Sequence, residues 1–200
     1  MTVTELRAVT KQKFQVEIDG QPAFVLYKGE LSRCHIEKGR GISPETYREI
    51  TEEILPKRAK MRAMHLLERG DRTRRGLEDK LLKSGYPPHA AEEALAYVES
   101  FHYIDDKRYA LSYILSQKDK KGKTRIQMEL RRKGVSQEDI DQAFSETEEE
   151  TDPRETIREL IRKKKRGEGP IDEKERNRLY GFLMRRGFSS SDILSVLREF

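Results

Sequence analysis

Eight lysines and arginines fall between Lys118 and Lys133, against only Asp119 and Glu129. Lys121, Lys123 and Arg125 surround a glycine turn, and Arg131, Arg132 and Lys133 close the segment after it. Arg162-Lys-Lys-Lys-Arg166 and Arg185-Arg186 repeat the theme further on. Cations clustered at helix ends suit a polyanionic partner, nucleic acid or a nucleoprotein. The plain alternative is a solvated face, because the helix dipole favours cations at a C-terminus by about 0.3–1 kcal/mol each. That alternative suffices for Arg185-Arg186 alone. It fits less well where the same end charge recurs beside basic turns.

Other candidate chemistry falls away. Gly122-Lys123-Thr124 has the ending of a phosphate-binding loop, but the glycine required five residues earlier is Gln117 and no buried strand precedes it. It reads as a turn between two helices. His35, His65, His89 and His102 are scattered, with no pair at ligand spacing. Asp105-Asp106 reads as a helix cap rather than a catalytic pair. No nucleophile, base and oxyanion set assembles, so an enzyme is not expected. Cys34, the single cysteine, reads as a buried thiol.

The elements that carry these cations share a repeated pattern. Ile126 and Leu130 share one helix face, Gly134 comes next as a left-handed stop, and Ser136 with Asp139 has capping-box spacing before Ile140, Ala143 and Phe144. Around Gly85 the matching residues are Leu77, Leu81, Tyr86, Ala91, Ala94 and Leu95, with Pro87-Pro88 in place of the box. Around Gly187 they are Leu179, Leu183, Phe188, Ile193, Val196 and Leu197, with Ser189 and Asp192 as the box. These glycines lie 49 and 53 residues apart, a spacing that fits three short helices per repeat.

Apolar residues make up 34% and charged ones 38%, which suits small helical units rather than one large core. The net charge of +5 is uneven: −1 over residues 1–55, +3 over 56–104, −2 over 105–152 and +5 over 153–200. Ahead of the repeats, Phe14, Val16 and Ile18 alternate, Asp19-Gly20 signals a hairpin, and Ala23 to Tyr27 returns. Val3 to Val9 adds a third strand. A short helix is expected near Glu30 to Cys34, and another from Glu45 to Leu55 that Pro56 interrupts. Asp105 opens the first helix of repeat two, with Tyr109, Ala110, Tyr113 and Ile114 on its core side. Tyr103, too, falls at core-like spacing.

The expected domains are a β-rich module (1–55), separable from the repeats, then repeat one (56–104) and repeat two (105–147). An acidic linker (148–152) and repeat three (153–200) complete the chain. No apolar run reaches membrane-spanning length and no signal-peptide core begins the chain, so a cytoplasmic protein without membrane contact is expected.

Tyr103-Ile-Asp-Asp-Lys-Arg-Tyr109-Ala110, then Lys121-Gly-Lys-Thr-Arg-Ile126 and Glu129-Leu-Arg-Arg-Lys-Gly134-Val135, resemble the RecX regulatory protein family. Ala63, Leu66-Leu67, Leu77 and Leu81-Leu82 with Gly85-Tyr86 resemble its first repeat. Two residues depart from the family pattern. His102 stands where glycine is usual, which implies a less demanding turn. Gly76 replaces a glutamate, which should weaken the helix start at Thr73 unless another cap takes over.

The resemblance implies a mainly α fold of three tandem three-helix repeats in an elongated, curved array. It implies a monomeric, non-enzymatic modulator, without cofactor, that lies along the groove of a RecA–DNA filament. Such a protein inhibits RecA recombinase and ATPase in homologous recombination, DNA repair and the SOS response. The partner-binding residues expected from the cation pattern are Lys121, Lys123, Arg125, Arg131, Arg132, Lys133, Arg185 and Arg186. A second expectation is direct binding to single- or double-stranded DNA, since a capped two-helix unit with a basic second helix resembles helix-turn-helix modules.

Overall fold

The computed structural model describes residues 1–147, 152–167 and 169–200. Most of the expected acidic linker, residues 148–151, lies outside the described residues, as does Glu168. The chain divides into two compact units, Met1–Ile104 and Asp105–Phe200.

The first unit opens with a three-stranded antiparallel sheet in the order β1 (Val3–Ala8), β2 (Lys13–Ile18), β3 (Gln21–Tyr27). Asp19 and Gly20 both take positive φ, 48° and 82°, so the β2–β3 turn has the twist that a two-residue hairpin needs. Val16 pairs with Leu6 on one side and Phe24 on the other. Val16, Phe24 and Leu26 are buried. Helix α1 (Lys28–Arg33) comes next, and Cys34 beyond it is buried, which pushes its thiol pKa up.

Pro56 does not interrupt the next helix. Helix α2 (Pro44–Arg48) runs through a π-helical stretch, Glu49–Ile54, directly into α3 (Leu55–Leu67). An α-turn would press the proline ring on a carbonyl four residues back and ask for an N–H that proline lacks. The wider π turn, in which the Leu55 amide donates to the Ile50 carbonyl, relieves that conflict, and Pro56 sits buried in the first turn of α3.

Helices α4 (Arg74–Lys83) and α5 (Pro88–Ser100) complete repeat one. Thr73 caps α4 by accepting from the Gly76 amide at 3.0 Å. The sheet is not a separate module. Val3, Val16 and Leu26 belong to the same buried cluster as Leu55, Leu77, Leu81, Leu95 and Ile104. Arg58 of α3 stitches the two parts together. Its guanidinium lies between the Tyr27 ring (4.4 Å to the centroid) and the Tyr86 ring (5.5 Å), and it donates to Glu30 at 2.7 Å and to the Val25 carbonyl at 3.2 Å.

The second unit holds two three-helix repeats: α6 (Asp106–Gln117), α7 (Lys123–Arg132), α8 (Gln137–Thr147), then α9 (Pro153–Lys164), α10 (Glu173–Arg185), α11 (Ser190–Leu197). Asp105, Asp152, Asp172 and Ser189 each cap a helix through the side chain. Ser136 does the same for α8 by accepting from the Asp139 amide at 3.0 Å, while its hydroxyl donates to the Asp139 carboxylate at 2.6 Å. Repeat two buries Ala110, Ile114, Ile126, Leu130, Val135, Ile140 and Ala143, and repeat three has its own cluster around Ile157, Leu179, Leu183 and Ile193. The glycine stops are left-handed: Gly85 at φ +87°, Gly134 at +88° and Gly187 at +83°. His102, at φ +55°, adopts the same region. The turn is therefore as demanding as a glycine turn, because the Tyr103 amide must reach back to the Val98 carbonyl at 3.0 Å to close α5.

Candidate partner-binding surface

Helix α7 forms because Ile126 and Leu130 can be buried on one stripe, and that burial fixes where its cations point. Arg131 and Arg132 fall on the outward side at the C-terminal end and are exposed or partly so, as is Lys133. Lys123 begins the helix on a different side. Eight residues of α-helix separate it from Arg131 by about 12 Å along the axis. The candidate surface thus has two parts, an N-terminal rim and a C-terminal outer edge.

The rim is partly neutralised from within. Glu129 accepts from Lys121 at 2.7 Å, from Arg125 at 2.9 Å and from the Tyr113 hydroxyl at 2.7 Å. Burial pushes the Glu129 pKa up, but these three donors outweigh it and hold the carboxyl at about 2. Tyr113 is pushed up to about 12, first by burial and then by its bond to that carboxylate. Lys121 and Arg125 are therefore committed to Glu129. The i,i+4 spacing of Arg125 and Glu129 is a readable signal of this pair.

Lys123 places its Nζ 5.1 Å from the Phe144 ring centroid. Lys133 lies over Tyr113 at 5.3 Å and Tyr109 at 5.7 Å. Arg131 donates to the Gln137 side chain at 2.7 Å, a neutral partner, and pairs with no carboxylate among the described residues. Arg185 lies at the surface at the end of α10. Arg186 points inward instead, donating to the Lys120 carbonyl at 2.7 Å with its guanidinium 4.7 Å from the Phe182 ring centroid. It ties repeat three to repeat two. Of Arg162 to Arg166, Arg162 pairs with Glu155 at 3.6 Å and Lys163 with Glu159 at 3.0 Å.

The same junction covers the start of α7. The Gly122 amide donates to the Arg186 carbonyl at 2.9 Å, and a Cβ at Gly122 would stand 2.2 Å from the Gly187 carbonyl oxygen. Nothing in the local sequence hints at this approach, since the two glycines are far apart along the chain.

Cations are also distributed by helix. The second helix of each repeat carries four lysines or arginines, whereas α5, α8 and α11 carry none. Tyr103, expected at a core position, is 49% exposed and stacks on Phe101 at 5.8 Å, which meets Tyr97 at 5.0 Å. The reason is local: the left-handed turn at His102 reverses the chain before Tyr103, so Ile104 is buried and the tyrosine stays outside. Among the described residues no group of three or more His, Cys, Asp or Glu is placed to hold a metal ion. No described helix is long and apolar enough to cross a membrane.

Comparison with known proteins matches all three repeats to one family. Residues 59–97 match its "RecX, first three-helix domain", residues 105–143 the second and residues 150–197 the third. The chain is 30% identical to the regulatory protein RecX of Clostridium acetobutylicum, over 99% of this chain and 95% of that one. It is 36% identical to that of Streptomyces lividans, over 86% and 82%. A crystal structure of regulatory protein RecX superposes with a TM-score of 0.66 at 23% identity and full coverage of both chains. That of RecX from Lactobacillus salivarius gives 0.62 at 22% identity, covering 72% of this chain and 96% of that one. At those identities the two structures establish the fold.

Proposed function

The chain belongs to the RecX regulatory protein family, and from that premise we propose that it binds RecA–DNA filaments along their groove and inhibits RecA recombinase and ATPase activity. It acts as a cytoplasmic monomer in recombination and DNA repair, as a binding protein without catalysis or cofactor. The observation that carries the reading is the outward charge at the end of α7. Arg131 and Arg132 stand at the surface there, while the one carboxylate of the helix, Glu129, is taken up by Lys121 and Arg125. With Lys123, Lys133 and Arg185 they form the contact set. Lys121 and Arg125 shape the set through Glu129, and Arg186 holds the junction behind it.

A direct DNA-reading protein is disfavoured by charge placement. In three-helix DNA-binding modules the third helix enters the major groove. Here α8 carries Glu138, Asp139, Asp141 and Glu146 without a lysine or arginine. Taking α7 as the reading helix fares no better, because its first turn is covered by Gly187.

The test is binding to RecA–DNA filaments against naked DNA at matched salt. Tight filament binding with weak naked-DNA binding is expected. A naked-DNA affinity that equals it, with a log–log salt slope of roughly −0.9 per phosphate, would favour the DNA reading. Charge reversal at Lys123→Glu, Arg131→Glu and Arg132→Glu together should abolish filament binding while far-UV circular dichroism stays unchanged. Undiminished inhibition of strand exchange by that triple variant would reduce this surface to a solvated face.

A further inference from the structure

A cleft of about 250 Å³ lies where repeats two and three meet, and the apolar part of it plays no role in the contact set described for filament binding. Its lining is apolar: Ile114 and Ile126 from repeat two, Phe144 at the end of α8, and Phe188 from repeat three. Lys118, Lys121 and Lys123 stand on its rim, and among the described residues no carboxylate lines it. The walls are held in place by backbone, through the Gly122 amide on the Arg186 carbonyl at 2.9 Å and the Arg186 side chain on the Lys120 carbonyl at 2.7 Å. An apolar hollow of this size, fixed by main-chain bonds and ringed by cations, is built to receive something.

The chemistry of the lining selects the occupant. Bare phosphate would find cations on the rim but leave five apolar side chains wet, Ile114, Ile126, Phe144, Pro153 and Phe188. A nucleobase would bury edge donors and acceptors against a lining whose polar side chain apart from the lysines is Thr156, and the Thr156 hydroxyl already leans on the Asp152 carbonyl at 3.5 Å. An apolar side chain has no such cost. We propose that the cleft takes one aromatic or branched aliphatic side chain from an acidic peptide segment of a protein partner, whose flanking carboxylates meet the lysine rim.

The neighbouring trough sets the direction of that segment. Asp119, Asp152, Glu155 and Glu159 line it beside Lys118, Lys120 and Lys163, so the α9 side presents mixed charge and favours an acidic segment less than Lys123 does. The acidic flanks therefore run over Lys123, at the start of α7, beside the Lys121 that Glu129 already holds. This inference rests on the regulatory reading only for the partner's identity; the cleft's preference for an acid-flanked apolar side chain stands by itself.

The experiment uses the full chain with labelled isoleucine methyls and three synthetic blocked peptides: Glu-Asp-Phe-Asp-Glu, Glu-Asp-Ser-Asp-Glu and Lys-Lys-Phe-Lys-Lys. The first should shift the Ile114 and Ile126 methyl signals saturably, and the other two should bind at least tenfold more weakly. Equal shifts from the serine or the lysine peptide, or the same shifts from inorganic phosphate or oligothymidylate, would overturn the proposal. Thr156→Trp, which fills the cleft, should weaken the first peptide at least tenfold, and Lys123→Glu should do so without altering the hollow. If both bind it as wild type does, the proposal is wrong. In a parallel filament assay, Thr156→Trp should lose at least fivefold in inhibition. A wild-type protein that ignores filaments yet binds the first peptide would sink the RecA reading and keep the cleft.

Discussion

Gly85 and Gly187 occupy matching places in repeats one and three, yet they stop their helices against different surfaces. A Cβ at Gly85 would stand 2.6 Å from a methyl of Val25 on β3. At Gly187 it would stand 2.4 Å from the backbone nitrogen of Arg125 in the first turn of α7. Both take a left-handed φ, +87° and +83°, so both carry the same conformational demand. The neighbour differs in what it can yield: the Val25 side chain, whose Cβ would also lie at 3.1 Å, can shift with its strand by a few tenths of an ångström, whereas helical backbone cannot move without unwinding a turn. In the first unit the glycine seats a helix stop on a sheet. In the second it locks one repeat to the next.

The largest effect expected tests the sheet's part in this contrast. A truncation that starts at Lys57 removes Val25, the neighbour of Gly85, and also takes Val3, Val16, Phe24 and Leu26 out of the cluster that these four share with Leu55, Leu81 and Leu95. We expect repeat one to lose its near-UV circular dichroism and its cooperative transition. A truncated chain with an unaltered melt would make the sheet a dispensable attachment and Gly85–Val25 an incidental contact.

Next come the glycines themselves. Gly187→Ala should destabilise the second unit by about 2–5 kcal/mol, from about 1–2 for a left-handed alanine and about 1–3 for forced packing. Gly122→Ala isolates the second of these, because φ there is an ordinary −78° while its Cβ would meet the Gly187 carbonyl. About 2–3 kcal/mol is expected. Gly85→Ala, facing a side chain that can shift, should cost about 2 kcal/mol. Denaturant melts of the three variants give the order; a Gly85 variant as damaged as Gly187→Ala would erase the distinction between side-chain and backbone neighbours.

Legibility in the sequence tracks the range of each interaction. Caps at Asp105, Asp172 and Ser189, the left-handed Gly134 and the hairpin at Asp19-Gly20 depend on residues within four positions, and these are legible. Pro56 reads as a break because the π turn that accommodates it leaves no residue signature of its own. His102 misleads because the closing bond of α5 enforces φ > 0 whatever the side chain. The cation cluster on α7 is visible as charge, but its division between Glu129 and the outer edge depends on helix phase and on Tyr113, sixteen residues away. Arg186 looks equivalent to Arg185 and is the opposite, since adjacent helix-end residues point about 100° apart. The Gly122–Gly187 approach is tertiary and leaves no trace in either local stretch.

A change of pH separates the two glycine contacts. Arg125, whose backbone meets Gly187, is held at its side chain by Glu129 at 2.9 Å. The Glu129 carboxyl lies at about 2 in the fold against an ordinary 4.5, the three donors around it outweighing its burial. A depressed carboxyl contributes stability that is fully present above the unfolded value and lost as pH falls through the folded one. The second unit should therefore weaken between about pH 4.5 and about pH 2, and Glu129→Gln should flatten that dependence. The Gly85–Val25 contact is apolar and should contribute no slope of its own in this window. Amide hydrogen exchange at Gly122 and Gly85 across the acid range reads the two separately. Faster exchange at Gly122 in wild type, abolished in Glu129→Gln, is the expected result; equal acid sensitivity in both proteins would mean that Glu129 neutralises the rim without bracing the junction.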